Sequence, residues 1–207
     1  MPIGGIGVQC PATFLALETW SSASPKRTAK YLKSYGYNEC VEFAIRNFSS
    51  HDFETLWGID QLCFVPGIAY SREELNFYIT KANTFTLIAE YAPGKGLERS
   101  PGIVGFIVAE AKRAKTGHII TIDVVPQARR SGVGSKLMES AEERLRRAHC
   151  NLVTLETAVD NKSALAFYKR HGYFVEKTVP RYYSNGVDAF VLAKELLAEQ
   201  HGSFPRN

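Results

Sequence analysis

A short segment rich in glycine and arginine is the part of the sequence that points most directly to ligand chemistry. Residues 129–135 read Arg-Arg-Ser-Gly-Val-Gly-Ser and join an apolar stretch ending at Val125 to an amphipathic one. Glycine lets a backbone approach a ligand closely, and the first N–H groups of a helix have no partner within the helix. The segment therefore predicts a diphosphate site reinforced by Arg129 and Arg130. A tight turn between a strand and a helix explains the same residues equally well.

Two common phosphate-binding motifs do not fit this segment. A Walker A motif needs Gly-Lys-Ser/Thr, whereas Gly134 is followed by Ser135-Lys136. A dinucleotide fingerprint needs a third glycine where Leu137 stands. Glu156 does lie at a distance suitable for a ribose-binding acid, so a dinucleotide stays an outside alternative.

The composition describes a chain that can bury a core. Of 207 residues, 45% are hydrophobic and 22% charged, which excludes wholesale disorder and collagen-like or coiled-coil structures. No apolar run approaches the ~18 residues of a membrane span. The apolar N-terminus has no basic residue before Lys26, so we expect no secretory leader. These features predict a globular, cytoplasmic protein without a membrane partner.

Cysteine, histidine and net charge exclude further classes. The four cysteines are scattered, and in a cytosolic protein they are expected to be reduced thiols. The five histidines form no H-E-x-x-H or paired helical spacing, so no metal is expected. The net charge of +4 suits a small anionic ligand but does not by itself indicate nucleic acid.

Apolar periodicity predicts an α/β fold with a mixed, mostly antiparallel central sheet flanked by helices. The elements follow in the order β-α-α-β-β-β-α-β-α-β-β. The predicted strands cover residues 41–46, 84–91, 103–111, 118–125, 152–159, 173–179 and 188–196, and the predicted helices cover 50–64, 71–79, 133–148 and 163–170. Residues 1–40 are predicted to form an N-terminal arm, 41–197 the domain, and 198–207 a C-terminal tail.

Side-chain patterns also predict which faces are buried. Five apolar residues of the third helix share one face: Val133, Leu137, Ala141, Leu145 and Ala148. Glu142–Arg146 and Glu143–Arg147 have the spacing and polarity of favourable i, i+4 ion pairs on that helix. In the preceding strand, alternation places Asp123 on the same face as Ile119 and Thr121.

Three motifs taken in order resemble the GNAT superfamily of acetyltransferases. Val125-Pro126-x-x-Arg129-x-x-Gly132-x-Gly134 looks like its acyl-CoA-binding motif. Two downstream stretches, residues 155–173 with Leu155-Glu156 through Gly172-Tyr173 and residues 182–189 with Tyr182-Tyr183, resemble the ribosomal-protein-alanine N-acetyltransferase (RimI-type) subfamily and related N-terminal acetyltransferases. Phe64-x-Pro66 matches as well. The resemblance covers residues 41 to about 196.

The resemblance implies acetyl transfer from acetyl-CoA to an amine, with Glu156 as base, directly or through water, and Tyr168 as acid. It implies that Asn161 holds the pantetheine arm and that the backbone around Ile122, Asp123 and Val124 bonds the pantetheine amides. The other expected cofactor contacts follow the phosphate motif: Arg129, Arg130, Ser131, Gly132, Val133, Gly134 and Ser135. The expected substrate contacts are Phe64, Tyr182 and Tyr183.

Each of these residues also has a purely structural interpretation. Tyr168 could be a core tyrosine, Glu156 a solvated strand-end carboxylate, and Asn161 the N-cap of the following helix. Asp123 stands where the subfamily usually has a small residue, so it lines the substrate cleft, faces solvent or forms a salt bridge. His118, a solvated strand-end histidine in the simpler interpretation, lies near where some superfamily members place a base.

The acceptor expected from the resemblance is a protein N-terminal α-amine. Two alternatives stay open, because the superfamily changes substrates by changing loops. One is an enzyme that acetylates a small-molecule amine, and the other is an acyl-CoA-binding module without catalysis. The sequence leaves the acceptor, the role of residues 1–40 and the oligomeric state undetermined.

Overall fold

The computed structural model describes residues 43–65, 68–91 and 102–196, and these residues form seven strands, four α-helices and two short 3-10 helices. The predicted arm and tail, the first two residues of the first predicted strand, and Pro66 lie outside the described residues. Within the described part of the chain, no helix is long and apolar enough to cross a bilayer.

The order of elements predicted from the sequence is confirmed. The strands are β1 (Phe43–Asn47), β2 (Thr84–Tyr91), β3 (Ile103–Lys112), β4 (Thr116–Val124), β5 (Leu152–Ala158), β6 (Phe174–Val179) and β7 (Ala189–Glu195). The helices are α1 (Phe53–Cys63), α2 (Arg72–Thr80), α3 (Val133–Arg147) and α4 (Lys162–Arg170), with 3-10 turns at Ser50–Asp52 and Pro126–Ala128. Ser71 caps α2 in the predicted capping box with Glu74.

The strands form one sheet in the order β1-β2-β3-β4-β5-β7-β6. Every neighbouring pair is antiparallel except β4 and β5, which are parallel. These two strands pair at only three positions, and the last is His118 opposite Thr154. Beyond this point the remainder of β4, from Ile119 to Val124, has no partner on the β5 side. A gap therefore opens in the middle of the sheet.

A β-bulge in β4 changes which side chains share a face. The register with β3 shifts so that Val108 pairs with Thr121 while Ala109 pairs with Ile119, which leaves Ile120 as the extra residue. Ile119 packs in the core beneath α3, whereas Ile120 packs in the core beneath α1 and α2. The predicted common face of Asp123 and Ile119 is therefore wrong, because strict alternation fails across a bulge.

The two faces of the sheet carry separate cores. The predicted apolar face of α3 packs on one side, and its first four members are fully buried; α1 and α2 cover the other side. One prediction for α3 needs correction, because Ala148 lies beyond the end of the helix and is exposed. The predicted i, i+4 pairs are present, at 4.0 Å for Glu142–Arg146 and 2.9 Å for Glu143–Arg147. Glu142 is buried, and its carboxylate also accepts a 2.6 Å hydrogen bond from Lys194 of β7.

Candidate active site

The gap between β4 and β5 exposes backbone groups in the middle of the sheet. The N–H of Val125 bonds to the carbonyl of Val104 in β3. Antiparallel ladders alternate, so Asp123, two residues earlier and opposite Phe106, also directs its N–H and C=O to β3. Ile122 and Val124 direct theirs into the gap. Three residues were predicted to contact the cofactor through their backbone. The register leaves the backbone groups of Ile122 and Val124 available for this, whereas those of Asp123 face β3.

A cavity of about 320 Å³ lies along this open edge and the N-terminus of α3. It is lined by residues from β4, the phosphate motif and α4: Ile122, Val124, Arg129, Arg130, Gly132, Gly134, Ser135, Ser163, Ala166, Phe167 and Arg170. The first seven were predicted from the sequence as cofactor contacts. Of the other predicted contacts, Asp123, Ser131, Val133 and Asn161 are absent from this lining.

The turn before α3 aims backbone donors at the cavity. Arg130 and Gly132 both have left-handed φ angles, 67° and 94°, and Gly132 is the N-cap of the helix. Such a turn leaves the first N–H groups of α3 without helical partners and at the positive end of the helix dipole. Ser131 Oγ donates a 2.7 Å hydrogen bond to the carbonyl of Ala128, which stabilises the turn. The Val133 side chain is fully buried, so only its backbone can meet a ligand.

Arg129 lines the cavity but is held by the protein. Its Nε donates to the carbonyl of Val124 at 3.0 Å, and its Nη2 lies 3.7 Å from Cys63 Sγ. Cys63 Sγ also approaches the Val124 carbonyl at 3.4 Å. The Val124 carbonyl therefore already has two protein donors, and its N–H is the group left for a ligand in the gap.

Helix α4 supplies four lining residues that the sequence analysis missed: Ser163, Ala166, Phe167 and Arg170. They are spaced i, i+3, i+4 and i+7, so they form one helical face. The spacing of these four residues can be read from the sequence. However, no feature of the sequence indicates which face of α4 lies beside the cavity. Asn161 caps α4, since its side chain accepts from the N–H of Ala164 at 3.1 Å, as its alternative interpretation predicts.

Glu156 of β5 lies beside His118 of β4, close to where the two strands separate. His118 Nε2 is 3.3 Å from Glu156 Oε2, and His118 Nδ1 is 3.1 Å from Thr154 Oγ1. Burial, together with nearby Lys112 and Lys81, lowers the pKa of His118 to about 3. The ring is therefore neutral, so its Nε2 makes a polar contact with Glu156 rather than an ion pair, while Nδ1 is hydrogen-bonded to Thr154.

Tyr182, in the connection between β6 and β7, is also hydrogen-bonded to Glu156. Burial raises the pKa of Glu156, although nearby lysines and this hydrogen bond oppose the shift. A carboxylate with a raised pKa is a better proton acceptor than an exposed one. Neither the solvated interpretation of Glu156 nor that of His118 agrees with this buried hydrogen-bonded group.

The predicted substrate contacts lie near this group. Tyr183 is buried beside Tyr182, with ring centroids 5.4 Å apart, and both pack near Ile68 of the α1–α2 loop. Phe64 follows the last residue of α1 and is partly exposed. The α1–α2 loop and the β6–β7 connection thus meet above the gap between the strands.

Tyr168 of α4 occupies the core under the gap. Its side chain is 2% exposed and stacks edge-on against Phe167 and Tyr173. Burial, with the charges of Asp123 and Glu156 among the further causes, raises the pKa of Tyr168 well above its usual value. The hydroxyl therefore stays protonated at any working pH, as both the acid and the core interpretation require.

The cavity lies along β4 and the Glu156 carboxylate lies on β5. These two strands separate beyond their last paired residues, His118 and Thr154. A helix N-terminus with free N–H groups, an open edge of β4 and a partly buried carboxylate on β5 form an arrangement that would suit a group-transfer enzyme with an anionic cosubstrate. The chain matches the model of the Acetyltransferase (GNAT) family over residues 42–173 and belongs to that family. It is an acetyl-CoA-dependent acyltransferase.

Individual relatives agree with this assignment. An uncharacterized N-acetyltransferase of Methanocaldococcus jannaschii is 32% identical over 152 residues, which span 73% of this chain and 90% of that protein. N-alpha-acetyltransferase 30 of Homo sapiens is 39% identical over 93 residues, which span 43% of this chain but only 26% of that protein. A chain of the NatC complex bound to Gag peptide and CoA superposes with a TM-score of 0.65 at 25% identity, covering 75% of this chain and 99% of that one.

Proposed function

We propose that this enzyme transfers the acetyl group of acetyl-CoA to the α-amine of a peptide or protein N-terminus, with Glu156 as base and Tyr168 as acid. The observation that carries the proposal is the partly buried Glu156 carboxylate, which lies 3.3 Å from His118 Nε2 and is hydrogen-bonded by Tyr182 where the strands separate. A relative named as an N-alpha-acetyltransferase and a similar structure bound to a peptide and CoA support a peptide acceptor.

Cofactor binding follows from the cavity. The N-terminus of α3 would hold the diphosphate, with Arg130 nearby, and the strand edge at Ile122 and Val124 would bond the pantetheine amides. Ser163 and Arg170 would add polar contacts from α4. The thioester would then lie in the gap between Tyr168 and Glu156.

The chemical step is a direct attack of the amine on the thioester. The acceptor ammonium first loses a proton to Glu156, and its nitrogen forms a bond to the thioester carbonyl carbon. The tetrahedral intermediate collapses as the C–S bond breaks and the nitrogen releases its second proton to water, giving the amide and the CoA thiolate. His118, whose Nε2 lies 3.3 Å from Glu156 Oε2, would help to orient the carboxylate.

The departing thiolate needs a donor. A free thiol has a pKa of ~8.5, and burial holds the pKa of Tyr168 higher than the ordinary value for tyrosine. Full proton transfer from Tyr168 to sulfur would therefore be uphill even when the C–S bond has broken. Tyr168 would act as the acid chiefly by donating a hydrogen bond that stabilises the developing thiolate, and any proton that it gives up would be replaced from solvent.

An α-amine suits this machinery better than a lysine side chain. The pKa of an α-amine is ~7.7–8.0 and that of lysine is ~10.4, so near neutral pH the unprotonated fraction is larger by roughly 10²·⁵. A single carboxylate can complete the smaller deprotonation. Phe64 and the Tyr182–Tyr183 pair, on the loops that meet above the gap, would contact the first peptide residues.

A panel of short peptides tests the proposal. Each peptide contains one lysine and has either a free or a blocked N-terminus, and acetylation from labelled acetyl-CoA is located by mass spectrometry. The expected product is acetylated at the free α-amine only. Glu156→Gln should lose most of this activity, whereas Glu176→Gln, an exposed glutamate on β6, is the matched control and should retain it.

The alternatives give different results in the same experiment. Equal acetylation of free and blocked peptides would refute selectivity for the α-amine. Turnover on a polyamine or amino sugar without any peptide product would favour the small-molecule enzyme. Stabilisation by CoA without turnover on any amine would favour the binding module.

A further inference from the structure

Two aspartates with no role in the proposed chemistry lie buried between α1 and β4. Asp60 is on α1, Asp123 is on β4, and both side chains are 0% exposed. Asp123 Oδ2 accepts from Thr121 Oγ1 at 3.2 Å, and Asp60 Oδ2 accepts from the N–H of Tyr70 at 2.9 Å. The Oδ1 atom of each aspartate has no hydrogen-bond partner among the described residues.

The contacts around the two aspartates place them in one space. Cys63, one helical turn after Asp60, reaches the Val124 carbonyl next to Asp123 at 3.4 Å. The hydroxyl of Tyr70 lies 3.4 Å from the carbonyl of Ile120 in the same strand. The two aspartates also act on each other electrostatically, because the charge of Asp60 raises the pKa of Asp123 beyond the effect of burial.

Two buried carboxylates in one apolar space cannot both be ionised at low cost. If one of them keeps its proton, it donates to the other, and one hydrogen bond supplies both Oδ1 atoms with a partner. Burial raises the pKa of both aspartates, that of Asp60 to about 7 and that of Asp123 well above its usual value. One of the two is therefore expected to keep its proton at neutral pH.

The charged groups near the pair do not replace this bond. Arg129 lowers the pKa of Asp123, but its Nε is engaged with the Val124 carbonyl. Glu74 of α2 raises the pKa of Asp60 and so disfavours its ionisation. The remaining polar contacts of the pair are with neutral groups of Gln61, Tyr70 and Thr121.

Both ends of the α1–α2 loop are attached to Asp60. The N–H of Phe64 at the start of the loop bonds to the Asp60 carbonyl at 3.1 Å, and the N–H of Tyr70 at its end bonds to the Asp60 carboxylate. Between them the loop carries Ile68, which packs near Tyr182 and Tyr183. Asp123 lies between Ile122 and Val124, which line the cofactor cavity.

We propose that Asp60 and Asp123 share one proton and that this hydrogen bond fixes the acceptor-binding α1–α2 loop on the cofactor-binding part of β4. Both are positioning residues, since neither lines the cavity. The effect on the acceptor rests on the proposed function, in which this loop borders the peptide. The shared proton and the fixed loop do not depend on it.

Asp123→Ala and Asp123→Asn separate the hydrogen bond from the packing. The amide of Asn keeps the shape of Asp and can still donate to Asp60, whereas Ala removes the donor. With the unliganded full-length protein, hydrogen exchange measured by mass spectrometry should be at least tenfold faster over residues 64–71 in Asp123→Ala. In Asp123→Asn it should stay within threefold of wild type.

Infrared difference spectroscopy tests the proton itself. At pH 8 the wild-type minus Asp123→Asn spectrum should contain the C=O stretch of a protonated carboxyl group, since an ordinary aspartic acid has a pKa near ~3.9 and is fully ionised there. The absence of this band would overturn the shared proton, and the measurement does not depend on the stability of the alanine variant.

Kinetics test the consequence for the acceptor. Asp123→Ala should raise the KM for a free-N-terminus peptide at least tenfold and change the Kd of acetyl-CoA less than threefold, and Asp123→Asn should restore KM. Unchanged loop exchange in Asp123→Ala, or equal defects in the two variants, would overturn the positioning role. Faster exchange and the infrared band together with no peptide turnover by the wild-type enzyme would refute only the peptide acceptor.

Discussion

Replacement of Gly134 by aspartate tests the cofactor site most directly. Gly134 is the second residue of α3 and lines the cavity. A Cβ atom built there would lie 3.4 Å from the Phe167 ring and 3.8 Å from Val124 Cγ2. A methyl group therefore fits with little movement, and a carboxylate would extend into the space assigned to the diphosphate.

The expected loss of affinity is large. A unit negative charge about 5 Å from one phosphate charge, at an effective dielectric constant of about 20, repels it by about 3 kcal/mol. Since 1.4 kcal/mol corresponds to tenfold in Kd, acetyl-CoA should bind roughly a hundredfold more weakly. The fold itself should not suffer, because an acidic residue in the first turn interacts favourably with the helix dipole.

Isothermal titration with acetyl-CoA, together with thermal melting of the unliganded proteins, provides the assay. Gly134→Ala is the matched control, because it adds the Cβ without the charge and removes a helix-weakening glycine. The Kd of Gly134→Ala should stay within about fivefold of wild type. A Gly134→Asp enzyme that binds acetyl-CoA as tightly as Gly134→Ala would show that the diphosphate does not lie at the α3 N-terminus.

Three further predictions concern catalysis and packing. Tyr168→Phe should lower kcat by roughly 10²–10⁴, the range for loss of a general acid, with the Kd of acetyl-CoA unchanged; a wild-type kcat would leave Tyr168 as a core residue only. Because burial raises the pKa of Glu156, activity should fall with decreasing pH at a midpoint above 4.5, and Glu156→Gln should flatten that limb of the pH–rate profile, whereas an unaltered limb would point to another base. Gly117→Ala would bring a Cβ within 2.7 Å of Leu145 Cδ1, so urea unfolding should reveal a loss of about 1–3 kcal/mol, the typical cost of overpacking, and a stability equal to wild type would contradict this packing.

The sequence predicted the elements well because their signals are local. Helix caps, period-2 and period-3.6 patterns and turn residues all lie within a few positions of one another. The capping box at Ser71 and the glycine at 172, which has a φ of 82°, are such cases. The common face predicted for Asp123 and Ile119 was wrong because a distant contact decides it, since the bulge at Ile120 follows from pairing with β3. The bond from Lys194 of β7 to Glu142 likewise joins elements that are far apart in the sequence.

The candidate site was proposed from sequence motifs, and the structure adds contacts that the motifs do not contain. The glycine and arginine spacing identified the turn before α3, since the ligand-binding groups there are consecutive in the chain. The contact between His118 and Glu156 joins two strands, and the α4 face beside the cavity depends on how that helix packs. Asp60 and Asp123 are 63 positions apart in the numbering, and nothing in either local sequence indicates that they meet.

The short pairing of β4 with β5 affects how firmly the two parts of the sheet are held together. Among the described residues, only three residue pairs join the segment through β4 to the segment from β5 onward within the sheet, so the backbone ladder is weakest beside the proposed substrate site. A ligand that bonds the open edge of β4 and also contacts α4 completes this junction as an added strand would. Ligand bound only by the native state stabilises it by about 2.7 kcal/mol at a hundred times Kd, and that gain would be concentrated at the junction. Opening between the two segments, and cleavage by proteases that depends on it, should therefore decline as acetyl-CoA rises, which links the lifetime of the enzyme to its own substrate supply.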